Sequence, residues 1–105
     1  MSADNNSPAI VADKITLHGN YPNPFNPSTE IAFELGQDYK TVELTVFNMV
    51  GQSVYEISMK DMVAGLHRVT WNGSSLEGKL VPSGLYLYRI STETKSVIGK
   101  MTLLK

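Results

Sequence analysis

The sequence contains no cysteine, which removes disulfide staples, thiolate nucleophiles and the usual structural zinc ligands together. A chain of 105 residues must then be held by packing alone, at a length that suits one domain and leaves little room for a second core. Long apolar runs are missing as well. No stretch approaches the ~18 to 20 residues of a membrane-spanning helix, and residues 1–14 lack the basic start and apolar centre of a signal peptide. Neither sign of charge dominates: nine Lys and Arg stand against ten Asp and Glu, so nothing draws the chain to polyanions and nucleic acid is not an expected partner. Histidine is scarce, and neither His18 nor His67 has a second histidine or cysteine at ligand spacing. Neither G-x-S-x-G nor G-x-x-x-x-G-K-S/T occurs, so a nucleophile elbow and a phosphate loop are both excluded. The expectation is a protein that is not an enzyme and uses no cofactor and no metal.

A convincing amphipathic helix is also lacking; what recurs is the two-residue alternation of a strand with one wet face. Thr29 to Leu35 sets Ile31, Phe33 and Leu35 against Glu30, Ala32 and Glu34, and Thr41 to Phe47 sets Val42, Leu44 and Val46 against Glu43 and Thr45. "GQDYK" between them reads as a turn. "NMVGQ", Asn48 to Gln52, reads as a second turn leading into Ser53 to Ser58, with Val54 and Ile57 as its apolar contacts. "MKDMVAG" is too short for a stable helix and is expected to be a loop or single turn closed by Gly65. Leu66 to Trp71 alternates again, with His67, Val69 and Trp71 on one face and Arg68 and Thr70 on the other. Asn72 to Gly84 has the glycine and proline content of successive turns. "LYLYRIST" and "SVIGKMTLLK" are two long strands joined at Glu93 to Lys95. Leu85 and Leu87 oppose Tyr86, Tyr88 and Ile90, which leaves the inward face of residues 85–92 open.

With a brief strand at Ile15 to His18 the tally is about seven, punctuated by turns roughly every ten residues. That pattern predicts an all-β fold, an antiparallel immunoglobulin-like β-sandwich, with a small barrel as the alternative. Residues 1–14 are polar and small and read as a flexible linker, leaving 15–105 as the folded domain.

Most acids alternate outward, where a solvated face explains Glu30, Glu34 and Glu43 better than an acid/base pair. Tyr21, Phe25, Tyr39 and Tyr55 are candidates for a carbohydrate platform, but aromatics beside turns more often plug the end of a sandwich. The C-terminal strand is less ordinary. Lys95, Lys100 and Lys105 occur there without an acid, and if Val97, Met101 and Leu103 face the core, Ile98, Lys100 and Leu104 line the outer face as a docking edge.

Taken in order, "NYPNPFNPSTEIAFEL", "LTVFNMVGQSV", "AGLHRVTWNG", "VPSGLYLYRI" and "KMTLLK" resemble the type A C-terminal sorting domains of the type IX secretion system. That group is itself similar to the immunoglobulin-like domain of flagellar hook-assembly proteins. The resemblance covers Leu17 to Lys105. It implies a bacterial protein of the Bacteroidetes or a related phylum, whose domain directs a covalently linked upstream cargo through the periplasm and outer membrane to the cell surface. The implied partners are the type IX translocon, an outer-membrane shuttle protein and a sortase-like surface peptidase that removes the domain. Gly84 and Tyr86 match the family's G-x-Y element, and Lys100 to Lys105 match its basic final strand. The implied partner-binding set is therefore Gly84, Tyr86, Ile98, Lys100, Leu104 and Lys105. Asn72 departs from the Trp-Asp-Gly common at that point, which keeps turn chemistry and weakens a cation site.

The structural signature is Pro22, Pro24, Phe25, Pro27, Trp71 and Gly73. The three prolines fix φ and bias Tyr21, Asn23 and Asn26 toward extended backbone, so the segment is expected to be a rigid corner with Phe25 pinned to the core. Two alternative functions stay open: an immunoglobulin-like assembly scaffold, and a carbohydrate-binding appendage of a larger secreted enzyme.

Overall fold

The computed structural model describes residues 12–105. Seven strands appear in chain order: β1 (Ile15–Tyr21), β2 (Thr29–Leu35), β3 (Tyr39–Phe47), β4 (Ser53–Met62), β5 (Gly65–Trp71), β6 (Gly84–Ser91) and β7 (Ser96–Leu103). They form one sheet of order β1-β2-β5 and a second of order β4-β3-β6-β7, with every strand pair antiparallel. This is the predicted immunoglobulin-like sandwich.

Its core follows from the alternation. Ile31, Phe33 and Leu35 of β2 face Val42, Leu44 and Val46 of β3, and all six are essentially inaccessible to water. Burying side chains of this size contributes roughly 1.5–3 kcal/mol each, which is what replaces the missing disulfides. The face of β6 left open by its sequence is settled: Tyr86, Tyr88 and Ile90 point inward and Leu85 outward. Gly99 of β7 pairs with Tyr88 of β6, and a Cβ on Gly99 would overlap the Tyr88 ring, so the tyrosine fills the space that the glycine vacates. In β5, Trp71 is buried and His67 and Val69 are half-buried on its side, while Arg68 and Thr70 are exposed, as alternation predicted.

Four boundaries differ from the sequence expectation, the first being that Tyr39 and Lys40 belong to β3 and not to the turn before it. Met59 to Met62 is not a loop but the last part of β4, because β3 begins at Tyr39 and offers it backbone partners through Tyr39↔Met62 and Val42↔Met59. Gly65 accordingly opens β5 instead of closing a loop. β1 runs on to Tyr21, with a register shift between Leu17 and Gly19 that lets the longer strand stay paired with β2.

The linker assignment for residues 1–11 lies outside the described residues. Ala12 to Lys14, placed with the linker by composition, are hydrogen-bonded to the sandwich: the Ala12 N–H donates to Gly36 O at 3.3 Å and the Gly36 N–H to Lys14 O at 2.9 Å. The chain thus enters at the end of the sandwich that carries Tyr39, Gly65 and the β6–β7 turn. The proline-rich corner, the β3–β4 turn, the Asn72–Ser83 connection and Leu104 gather at the opposite, far end.

Candidate functional site

The far end is organised around Trp71. Its ring meets Phe25 at 5.6 Å, Tyr86 at 5.7 Å and Tyr55 at 6.3 Å between centroids, and its Nε1–H donates to Ser74 O at 2.9 Å. Phe25 is thereby the pinned plug that the sequence predicted. The peptide bonds before Pro22, Pro24 and Pro27 are all cis. Gly73 sits at φ +76° with Pro27 O only 2.9 Å from where a Cβ would lie, so the turn after Trp71 closes against the proline corner only with glycine. Asn72 makes the turn it was expected to make, accepting the Ser74 N–H at 3.1 Å.

The corner does more than turn the chain. The Phe25 N–H donates to Thr102 O at 2.9 Å, the Leu104 N–H to Phe25 O at 2.9 Å, and the Thr102 N–H to the Asn23 side-chain oxygen at 3.0 Å. Phe25 and Leu103 form a parallel bridge. The segment therefore occupies the outer edge of β7 from Thr102 onward. By strand alternation Ile98 and Lys100 turn their backbone groups to that same edge, and among the described residues they have no backbone partner there.

The six residues singled out as partner contacts are not equivalent. Ile98 and Leu104 are exposed at 60% and 53%, and Lys100 is exposed beside them on the outer side of β7. Gly84 is exposed at the start of β6, opposite Leu103, and the Lys105 N–H donates to Ser83 Oγ at 3.0 Å. Tyr86 is different: only 4% accessible, it packs on Trp71 and donates its hydroxyl to Pro82 O, and burial raises its pKa. Tyr86 is therefore a core side chain instead of an exposed contact, and the part of it that reaches the surface lines the groove beside Gly84.

Residues that sequence reading passed over complete the surface. A groove of about 390 Å³ opens between the β3–β4 turn and the start of β6; Met49, Val50 and Val54 border one side, and Gly84, Leu85 and Tyr86 are among the residues of the other. Among the described residues ten large apolar side chains are exposed, and seven lie at the far end: Tyr21, Met49, Val50, Leu76, Leu80, Leu85 and Leu104. The available signal was Met49-Val50, two apolar residues inside a turn.

The aromatics considered for sugar are dispersed. Phe25 and Tyr39 are buried, Tyr55 packs on Trp71, and Tyr21 alone is well exposed at 83%. The histidines have structural partners: the exposed His18 places Nε2 3.1 Å from Glu34 Oε1, and the half-buried His67 stacks on Phe33 at 5.8 Å. Among the described residues no three His, Cys, Asp or Glu side chains are grouped to hold a metal.

With this geometry in view, comparison with known proteins is specific. The family model for the FlgD Ig-like domain matches residues 19–96. The chain belongs to the FlgD Ig-like domain family. Among curated relatives, the basal-body rod modification protein FlgD of Escherichia coli K12 is 33% identical over 64 residues, which is 61% of this chain and 28% of that protein. FlgD of Salmonella typhimurium is 32% identical over 59 residues, 56% of this chain and 25% of that protein. The similarity thus spans about a quarter of either relative. FlgD-like folds recur in solved structures. Latent dimeric PorU of Porphyromonas gingivalis superposes over 96% of this chain and 10% of its own, with a TM-score of 0.70 at 20% identity. PorZ of the same organism, described as an essential surface component of the type IX secretion system, superposes over 85% of this chain and 11% of its own, with 0.60 at 21%. FlgD of Pseudomonas aeruginosa matches over 88% of this chain and 72% of its own, with 0.60 at 17%.

Proposed function

We propose that this FlgD-type Ig-like domain is a non-catalytic C-terminal sorting domain of the type IX secretion system, which directs an upstream cargo across the outer membrane to the cell surface. The translocon and an outer-membrane shuttle protein read its folded surface, and a sortase-like peptidase removes it. The observation that carries this reading is the solvent-facing group Ile98, Lys100 and Leu104 on and just after β7, an apolar and basic set that the core does not use. The ordered run of five sorting-domain motifs and the likeness of fold to PorZ support it. The hydrogen bonds that tie Ala12 to Lys14 to the sandwich support a cut upstream of residue 12.

Truncating the last strand does not test this, because Met101 and Leu103 are 1% exposed and their loss would unfold the sandwich. The informative variant is Ile98→Asp, Lys100→Glu and Leu104→Asp in a fluorescent cargo fusion. It should keep its melting temperature and strand the fusion in the periplasm; surface delivery at the wild-type level by the folded variant would sink the reading.

A second reading, an assembly scaffold, is favoured by the 33% identity to FlgD of Escherichia coli. Pulldown of flagellar rather than outer-membrane proteins on the intact surface would select it.

A further inference from the structure

Met49 and Val50 are not required by the turn that holds them. Asn48 builds that turn, its side-chain oxygen accepting the Val50 N–H at 3.1 Å and the Gln52 N–H at 3.0 Å, while Met49 and Val50 are 58% and 80% exposed. Polar residues would serve the backbone equally, so the apolar rim has a purpose beyond the fold. Leu85 closes the other side of the groove at 47% exposure and continues, along the outer face of β6, into Leu87 and Arg89.

Charge is distributed unevenly about this line. On the exposed faces of the four-stranded sheet the acids Glu43 and Glu56 stand on β3 and β4, whereas β6 and β7 carry Arg89 and Lys100 and no acid. Cross-strand neighbours put Lys100 beside Leu87 and Ile98 beside Arg89. The Arg89 guanidinium lies over the Phe47 ring at 4.9 Å, its Nε is buried without a hydrogen-bond partner, and among the described residues no carboxylate pairs with Arg89 or Lys100. Charge complementarity therefore calls for carboxylates on the occupant.

We infer that the groove and the outer face of β6–β7 form one docking surface for an acidic segment of a partner protein, with an apolar side chain seated between Met49 and Leu85 and carboxylates over Lys100 and Arg89. This deepens the sorting reading and rests on it for the biological role, while the binding chemistry is testable separately.

The probe is a synthetic ten-residue peptide of alternating leucine and aspartate, titrated into the full 105-residue chain and followed by amide chemical shifts. The expected result is saturable shifts at Met49, Val50, Leu85 and Lys100, weakened at least tenfold by Met49→Ser with Val50→Ser, weakened similarly by Lys100→Glu, and diminished by added salt. The serine pair alters only exposed turn side chains, and its unchanged amide spectrum elsewhere certifies the fold. Equal binding of a control peptide with lysine in place of every aspartate, shifts confined to the entry end, or no shifts overturns the inference. So does a concentration-dependent dimer abolished by the same variants, which would assign the surface to a second copy. Peptide binding without a delivery defect would reject the sorting role and leave the surface standing; a delivery defect confined to Ile98 and Leu104, with no peptide binding, does the reverse.

Discussion

At the entry end, Asp13 accepts hydrogen bonds from Tyr39 at 2.7 Å and Thr94 at 2.9 Å, and Asp38 accepts the Ala64 N–H at 2.8 Å. At the far end, Trp71 gathers Phe25, Tyr55 and Tyr86, and the rim above them is Met49, Val50 and Leu85. The first end fastens the incoming chain with polar groups that water can replace. The second is an extension of the core whose outermost layer stays exposed. Hydrogen bonds at the surface contribute modestly, whereas an exposed apolar rim carries a solubility cost that a packed fold does not require. Val63 and Leu66 leave the entry end some exposed apolar surface as well, so the contrast is one of degree, and it is the contrast on which the proposed docking surface rests.

The sharpest way to break the comparison is to remove its hub. Trp71→Ala or Phe25→Ala should each cost ~3–5 kcal/mol, enough to leave a domain of this size largely unfolded by thermal or urea denaturation. A loss of sorting by Phe25→Ala with an unchanged melting temperature would instead return the proline corner to a recognition role. Next in size is Gly73→Ala, where positive φ and the approach of Pro27 O combine to cost about 1–3 kcal/mol.

The entry end should respond to pH. Tyr39 is pushed up to about 12, first by burial and then by its hydrogen bond to Asp13 and that residue's charge, so its contribution is intact below its ordinary 10.0 and is lost as pH rises toward 12. Tyr86 and Tyr88 are raised by burial as well and act in the same direction. Tyr39→Phe should therefore lower the melting temperature by a few degrees at neutral pH and flatten, without abolishing, the alkaline loss. On the acid side, the hydrogen bonds from Tyr39 and Thr94 hold Asp13 below its ordinary 3.8, so its contribution is present above that value and lost as pH falls further. The smallest effect sharpens the comparison most: Met49→Ser with Val50→Ser should change stability by no more than ~0.5 kcal/mol, since neither side chain is packed. A large destabilisation would show the rim to be core after all.

Much of this was legible in the residues. The alternation in Thr29–Leu35 and Leu66–Trp71 assigned Ile31, Phe33 and Leu35 of β2 and His67, Val69 and Trp71 of β5 to the inward face, though not the buried Thr29, because an antiparallel strand with one wet face has a period that sequence alone displays. Met59 to Met62 escaped, since a mixed polar stretch becomes strand only when β3 supplies partners at Tyr39 and Val42. The burial of Tyr86 was not legible because β6 is apolar on both faces, and no local pattern says which face meets Trp71.

By itself the sequence determined the fold class, the absence of a cysteine-based site, the rigid corner and the final strand on which Ile98 and Lys100 stand outward, all consequences of local period and covalent constraint. Only the tertiary structure decided that the corner would seal the end of the β7 edge and that Met49, Val50 and Leu85, some thirty-five residues apart in the chain, would border one groove. Those outcomes depend on how two sheets stack and which loops meet at their ends. Long-range packing decides such placements, and no short window of residues encodes them.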